Sequence, residues 1–581
     1  MTMFRTKNNR DSDHLLVMDI DGQSLDENNR HGNTSTFFVT LSLLVTVICE
    51  RLAYYSVYAG LILFCTSKLD IGQANATTVH LVFDGFVYII PIIGGFLADS
   101  YLGRFKTIWI SSLIYIVGVF LLPAAAIEYN NWNWTELSVT GRTALFGTAL
   151  VCVTLGTAGL RANVGLFGAE QIESLGKDAI QTFFNWFYWG INVGAFIAYV
   201  GVAYIQQGVS FAWGFFVPLV SMVLSLTVFV AVKSRYVRTK PKGSILTTGF
   251  SICAQGSRRV NIGSCGKKEM LSSAKRSHGG DFEDHLVDGV VSVIKVTPFC
   301  LLVILYWAMQ SQMYSTFFAQ SERMDVSMGG GVNVPVAALS VFNTIAIIIM
   351  IPIVDRLIYP CFNKMGKPLT YLKRIGIGFI FATLSMIVAG IVEIRRKEYL
   401  DRANPTIQNL GGQNFNASTM SVFVQIPQFA LVGVSEIFTS VTTMEFAYNQ
   451  APVALQGLLT GLFIAASGVG NWVSTAILAI VESATEGDPW WADEINDCKM
   501  ENLMFLLAGL MALDFIIFCI VAHFYTYQDP AKFEKTVGVP VSGKSDTDGS
   551  PSNDLPPSYY NTFNNQHTHQ TVKTSDGTTP F

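Results

Sequence analysis

The sequence predicts an all-α membrane protein of twelve spanning helices in two six-helix bundles. Three observations carry this. The chain of 581 residues is 50% hydrophobic and only 14% charged, whereas ordinary soluble domains carry about 25% charged residues. Its apolar residues are gathered into long runs, and a helix that crosses a bilayer needs about 20 of them. Twelve runs can be counted, at 36–64, 79–98, 107–127, 143–165, 179–204, 212–232, 291–317, 336–359, 371–392, 420–446, 454–482 and 503–526. Finally, the runs come as six, then the polar stretch 233–290, then six more. Two bundles joined by a basic connection and placed around a shared cavity are the plan of many secondary transporters. The expected divisions are a cytosolic tail 1–35, a bundle 36–232, a linker 233–290, a bundle 291–526 and a tail 527–581.

The first run is a permanent span, since residues 1–34 are polar and the run is too long for the core of a signal peptide. Glu50 and Arg51 are the only charged residues in it. Charged side chains inside a membrane are costly and normally face a protein interior or a water-filled cavity. Helical spacing sets Val47, Glu50, Arg51, Tyr54 and Tyr58 along one side, with Tyr55 one turn beyond Arg51. The pair is either a buried ion pair that fixes packing or part of a transport pathway. Span 2 carries Pro91, Gly94 and Gly95, which are tolerated where neighbouring helices satisfy the backbone. His80, near its outer end, is able to take a proton from an acidic lumen, although a solvated histidine is the ordinary expectation there.

GGFLADSYLGRFKTI, Gly94–Ile108, joins spans 2 and 3 through a tight turn holding Asp99, Gly103 and Arg104. The acid is expected to cap span 3 and to pair with a base across the bundle, closing one end of the cavity. The linker 233–290 holds eleven Lys or Arg residues, and its part from Ser244 to Ala254 reads equally as a membrane-surface helix or as disordered chain. Span 10 carries a lone acid, Glu436, which is a ligand or relay candidate unless a base across the bundle pairs with it.

Orientation follows from the basic residues. With the N-terminus in the cytosol, Arg104, Lys106, the linker, Lys364, Lys367, Lys373 and Arg374 all fall on the cytosolic side. The opposite stretch 483–502 is acidic, and the basic cluster Arg395, Arg396, Lys397 runs against the trend. The sequons at Asn75, Asn133 and Asn416 fall on the non-cytosolic side, while that at Asn33 does not and is expected to stay unmodified. The net charge of −4 gives no reason to expect a nucleic-acid partner. The nine cysteines form no CxxC pair, Cys498 alone sits clearly in an exterior loop, and no His cluster has metal spacing, so neither a disulfide framework nor a metal is expected. No HExxH or GxSxG motif points to an intramembrane enzyme.

Five stretches together carry a resemblance: ERLAYY in span 1, GGFLADSYLGRFKTI, GLRANVGLFGAEQ (Gly159–Gln171), FNWFYWGINVGAF (Phe184–Phe196) and EIFTSVTTMEFAYNQAP (Glu436–Pro452). Over about 36–526 the chain resembles the proton-coupled oligopeptide transporter family, and most closely its animal peptide/histidine transporter branch, solute carrier family 15. The resemblance implies a major-facilitator-type fold, a proton gradient as driving force and no cofactor. Glu50 and Arg51 match the second acid and the base of the family's ExxER motif, linked to proton coupling. Tyr54 and Tyr55 match its paired tyrosines, Asn192 matches an asparagine that contacts the peptide backbone, and Glu436 matches the acid that holds the substrate's amino terminus. Three positions depart from the pattern. Val47 replaces the first acid of the motif, Arg161 replaces a lysine of span 4, and Ser311 stands where span 7 has an acid. Arginine grips carboxylates in bidentate fashion but does not shed its proton. Arg161 therefore fits the substrate's carboxyl end, and also stands within expected reach of Glu50. His80 is one residue out of register with the family's span-2 histidine.

Both tails carry short trafficking-like patterns. DSDHLL places Asp11 ahead of Leu15 and Leu16, as in acidic dileucine signals read by clathrin adaptors. PPSY, with Pro556, Pro557 and Tyr559, has the form of a WW-domain ligand, and Tyr560 to Phe563 that of a tyrosine-based sorting signal. The composition of 527–581 predicts a disordered tail. The expected function is a proton-coupled symporter of di- and tripeptides and histidine, working in a lysosomal or late endosomal membrane, with the plasma membrane as the other location. The competing reading is a weakly transporting or non-transporting nutrient sensor that signals through its tails.

Overall fold

The computed structural model describes residues 22–132, 135–239, 241, 249, 251–255, 272–329, 332–402, 405–450 and 455–527. Twelve helical segments among them are long and apolar enough to cross a membrane. They are α1 (Thr36–Lys68), α2 (Gln73–Leu102), α3 (Arg104–Ala126), α4 (Val139–Leu175), α5 (Ala179–Gly208), α6 (Phe211–Ala231), α7 (Asp284–Glu322), α8 (Val336–Lys364), α9 (Tyr371–Arg402), α10 (Val422–Ala447), α11 (Gln456–Ala484) and α12 (Met500–His523). Each of the twelve expected spans finds its helix. Several run on beyond the apolar core: α4 continues past residue 165, and α7 begins at Asp284, inside the stretch expected to be linker. Apolar counting sees the hydrocarbon layer, whereas helix bonding continues into the polar rim.

In the N-terminal half, α3 packs on α4 and α6, and α1 packs on α5 and α6. In the C-terminal half, α9 packs on α10 and α12, α7 on α11, and α8 on α10. One ion pair repeats in both. Arg104 at the start of α3 holds Glu170 near the end of α4 at 2.6 Å, and Arg374 near the start of α9 holds Glu445 near the end of α10 at 3.4 Å. Third helix is tied to fourth by the same device, as an internal repeat would do. This corrects the expectation for Asp99 and Arg104. Asp99 lies 3.6 Å from Arg104, Gly103 is the N-cap of α3 with no side-chain cap bond, and both acids on Arg104 belong to its own half. An acid with a base of its own half at 3.6 Å has its partner beside it rather than across the bundle.

Several spans break locally. α2, α5, α8 and α10 contain π-helical turns at Ala98–Leu102, Ile197–Val202, Val354–Ile358 and Ile437–Val441, and α7 has a 3-10 turn at Ser311–Tyr314. Such turns expose backbone groups and are frequent at functional positions.

A small sheet was missed by counting apolar runs. Strand β1 (Met324–Asp325) follows α7, and β2 (Thr406–Leu410) and β3 (Gln413–Ser421) join α9 to α10. The order is β1-β3-β2, with β3 parallel to β1 and antiparallel to β2. Gly411 and Gly412 turn the hairpin at φ 60° and 89°, conformations that glycine adopts without the Cβ penalty. This end of the molecule is called here the hairpin end, and the other the linker end.

Hydrogen bonds between the halves gather at the hairpin end. The Gln207 amide of α5 donates to the Val334 carbonyl at 3.2 Å and accepts from the Val336 N–H at 3.0 Å. The Gly411 N–H donates to the Gln207 carbonyl at 3.0 Å. The Asp493 carboxylate accepts from the Ala74 N–H at the start of α2 at 3.0 Å. Deeper in, α2 crosses α11 at two glycines: a Cβ on Gly468 would fall 2.6 Å from the Gly85 carbonyl, and one on Gly85 would fall 2.2 Å from the Trp472 Nε1. Small residues there let the two halves approach closely.

The basic cluster that ran against the orientation rule is largely neutralised. Arg396 is fully buried against Glu393 at 2.7 Å, Lys397 meets Glu501 at 2.5 Å, and Arg395 meets Glu398 at 2.8 Å. Asn75 lies exposed in the first turn of α2 rather than in a loop, and Asn416 lies exposed on β3. Asn133 is outside the described residues, as are Asp11, Leu15, Leu16, Pro556, Pro557, Tyr559, Tyr560 and Phe563. Of the stretch Ser244–Ala254, Gly249 and residues 251–254 are helical and the rest lies outside the described residues.

Candidate functional site

The groups flagged in the sequence converge where α1, α2 and α4 of one half face α7, α8 and α10 of the other. On α1 the Arg51 Nε donates to Glu50 Oε2 at 2.5 Å, so the pair closes on itself. The second carboxylate oxygen of Glu50 is buried without a partner among the described residues. The expected ion pair between Glu50 and Arg161 is not made; the two are electrostatic neighbours only. Adjacent residues on a helix diverge, but a long guanidinium side chain can fold back, and here it does. Val47 is buried beside Gly190 of α5, where a packed aliphatic side chain replaces any titrating group.

Arg161 on α4 sits between two phenol rings, its guanidinium carbon 4.1 Å from the Tyr54 ring centre and 4.9 Å from that of Tyr88. Desolvated cation–π contacts contribute about 2 kcal/mol. They leave hydrogen-bonding capacity over: Nε and Nη2 of Arg161 are buried and without a partner among the described residues. A guanidinium held by ring faces and short of acceptors is set up to receive a carboxylate in bidentate fashion.

The paired tyrosines diverge in role. Tyr55 is partly exposed and packs on Tyr199 with ring centres 5.4 Å apart. Tyr54 is 1% exposed, and its hydroxyl donates to Asp84, so in this conformation it does not offer that hydroxyl to a ligand.

Across the interface, Glu436 ends the α-helical part of α10 immediately before the π turn. Its Oε2 accepts from the Gln310 amide at 3.0 Å and the Asn343 amide at 3.3 Å. It makes no ion pair among the described residues, so neutral amides hold it in place of the base weighed from sequence. Tyr188 of α5 lies within electrostatic reach of Glu436 and is 60% exposed. Asn192 lines the same face, one turn on, and donates to the Tyr188 carbonyl at 2.8 Å. Ser311 turns its hydroxyl back to the Ala308 carbonyl at 2.9 Å, leaving α7 with no acid at that level.

Two further residues change standing. His80 is 2% exposed rather than solvated, packs at a tilt against Tyr58 with ring centres 4.2 Å apart, and has both ring nitrogens without partners among the described residues. The sequence reading passed over Asp84, the only charged residue in the run 79–98. A lone acid in an apolar run was the signal that drew attention to Glu436, and it was present here too. Asp84 is buried and accepts hydrogen bonds from Tyr54, from Tyr58 at 3.4 Å and from Asn471 of α11 at 2.8 Å.

Two halves tied together at one end, each with a charged group in its spans that makes no ion pair among the described residues, Arg161 in one and Glu436 in the other, are the build of a membrane transporter. The chain belongs to the POT family, whose PTR2 model matches residues 105–492. Protein NRT1/PTR family 8.1 of Arabidopsis thaliana is 32% identical, over 83% of this chain and 92% of its own length. Solute carrier family 15 member 3 of Mus musculus is 31% identical, over 84% of this chain and 92% of its own length. A crystal structure of an autoinhibited POT family peptide transporter shares the fold, with a TM-score of 0.70 at 23% identity, covering 84% of this chain and 98% of that one.

Proposed function

We propose that this chain is a proton-coupled symporter of di- and tripeptides, with histidine as a second substrate, which exports them from acidic endolysosomes to the cytosol by alternating access. The observation that carries the reading is the charge arrangement. Glu436 in one half is held by neutral amides alone, and Arg161 in the other has buried donors to spare. A zwitterionic peptide presents an ammonium and a carboxylate at opposite ends, which answers both. Tyr55, Tyr188 and Asn192 line the space between, offering phenols and an amide to a peptide backbone. Binding that joins both halves favours their closure around the substrate, which is the differential affinity that alternating access requires. Glu50, with one oxygen unsatisfied beside Arg51 and near Arg161, is the proposed proton site that decides whether the bases hold substrate or Glu50 itself.

One observation favours the sensor reading: Val47 and Ser311 remove two of the acids through which related carriers couple to protons. Uptake separates the two. The chain is expressed at the cell surface after replacement of Leu15, Leu16 and Tyr560, and labelled dipeptide and histidine are supplied at about pH 5.5 and 7.4. Saturable, acid-stimulated entry of free-amine dipeptide is expected. Binding without entry at either pH identifies a sensor.

A further inference from the structure

We propose that Asp84 is a proton-binding site that latches the two halves together at the hairpin end. The inference deepens the transport reading, since it supplies a protonation site where Val47 and Ser311 have removed two. Three features of the geometry carry it. The carboxylate is buried in the middle of the α2 span and makes no ion pair among the described residues. It accepts from donors in both halves: the Tyr54 and Tyr58 hydroxyls of α1 on one side, and the Asn471 amide of α11 on the other. It also lies beside the close crossing of Gly85 with Gly468, one residue along α2.

The groups facing it define what it senses. From α1 these are Tyr54 and Tyr58, and from its own helix Tyr88 and His80, the latter one turn towards the hairpin end and packed against Tyr58. From α4 comes Arg161, separated from the carboxylate by the Tyr54 ring over which its guanidinium sits. From α7 comes Tyr314, packed edge-on against Tyr58 at 4.8 Å, and from α11 the neutral Asn471. The one full positive charge in this set, Arg161, contacts Asp84 only through a phenol. Protonation of the carboxyl therefore breaks no salt bridge. It also keeps the latch, since the acid still offers an acceptor oxygen to one half and gains an O–H for the other.

The closed hairpin end buries this carboxyl among phenols with no ion pair among the described residues, whereas an open end hydrates it. Burial costs the charged form more than its hydrogen bonds return, so the protonated carboxyl is the form that holds the end shut. Closure is fully present below the titration range of the carboxyl and weakens as pH rises through it. A proton taken from an acidic lumen then closes the loading face behind the substrate, and its release on the far side lets that face reopen. A cavity lined by Tyr58, His80, Tyr199, Tyr314 and Ser340 lies next to the latch on the hairpin side and marks where water first reaches it.

The test reads conformation and needs no substrate, so its failure is distinct from failure of the peptide reading. Ala59→Cys places a thiol in that cavity wall, and its modification by a maleimide is followed by mass spectrometry on full-length protein in lipid nanodiscs. Rates at about pH 5 and pH 8 are divided by those of the same site in denatured protein, which removes the intrinsic thiolate effect. The corrected rate is expected to be about tenfold higher at the alkaline pH, the population change of about one unit of proton affinity between the two states. Asp84→Asn, which keeps the shape and stays neutral, is expected to be slow and flat across pH. Asn471→Ala, which removes the donor from the second half, is expected to raise the rate at acid pH towards the alkaline value, and carries the test alone if Asp84→Asn does not fold. His80→Gln is expected to leave the pH dependence in place. An Asp84→Asn protein that keeps the tenfold dependence, or an Asn471→Ala protein that stays slow at acid pH, overturns the proposal.

Discussion

Replacing Glu436 with glutamine tests the substrate grip with little change of shape. The carboxylate now accepts two amide bonds, 3.0 Å from Gln310 and 3.3 Å from Asn343, and has capacity left for a cation. A hydrogen bond to a charged group contributes about 1.5–3 kcal/mol, and each 1.4 kcal/mol is about tenfold in affinity. Desolvation of the ammonium takes back part of this. Free-amine dipeptides should therefore bind about tenfold to hundredfold more weakly to Glu436→Gln. N-acetylated dipeptides, which bring no charge to this end, should bind poorly to the wild type and change by less than about threefold in the variant. The assay is competition against a labelled dipeptide on purified protein at fixed pH, with a thermal melt of both proteins as a folding control. Equal losses for free and acetylated ligands would show that Glu436 organises α7, α8 and α10 rather than gripping an amine.

Glu50→Gln should abolish pH-driven accumulation while leaving counterflow exchange of pre-loaded substrate, and Val47→Glu should steepen the pH dependence by adding a second titrating group; accumulation by Glu50→Gln like that of the wild type would make the α1 pair purely structural. Asn75→Gln and Asn416→Gln should each remove a glycosidase-sensitive mass step, since both asparagines are exposed at the hairpin end; a glycan on Asn33 would invert the orientation. Leu15→Ala with Leu16→Ala should shift part of the protein to the cell surface, scored by surface biotinylation, and unchanged endolysosomal staining would remove the dileucine signal from the account.

Most of the fold was legible because bilayer thickness turns composition into helix count. Twelve apolar runs became twelve helices, and Glu50, Arg51 and Glu436 stood out as polar groups that hydrocarbon would not tolerate unaided, while Arg161 was marked by the family resemblance. What the runs did not carry was partner choice. Asp99 was expected to meet a base across the bundle, yet it lies 3.6 Å from Arg104 of its own half, and Glu170, distant in sequence, returns beside the same base when α4 packs on α3. His80 looked solvated from its place near a span end, but α1 lays Tyr58 over it. The β2–β3 hairpin was readable in principle from Gly411 and Gly412 between two short runs, and was lost among helices. Asp84 was hidden by attention to family motifs, which do not include it, although the physical argument applied to Glu436 applies to it equally.

The central claim is that this chain moves a free-amine peptide and a proton in the same direction. Purified protein in liposomes, with an inward-acid-to-neutral pH gradient imposed and the internal volume carrying a pH dye, reports both fluxes at once. The account predicts that a labelled dipeptide accumulates above its external concentration, that the lumen acidifies in step with it, and that a protonophore reduces uptake to simple equilibration. Dipeptide that equilibrates at one rate with or without the gradient and moves no protons, or that binds and never enters, would contradict it.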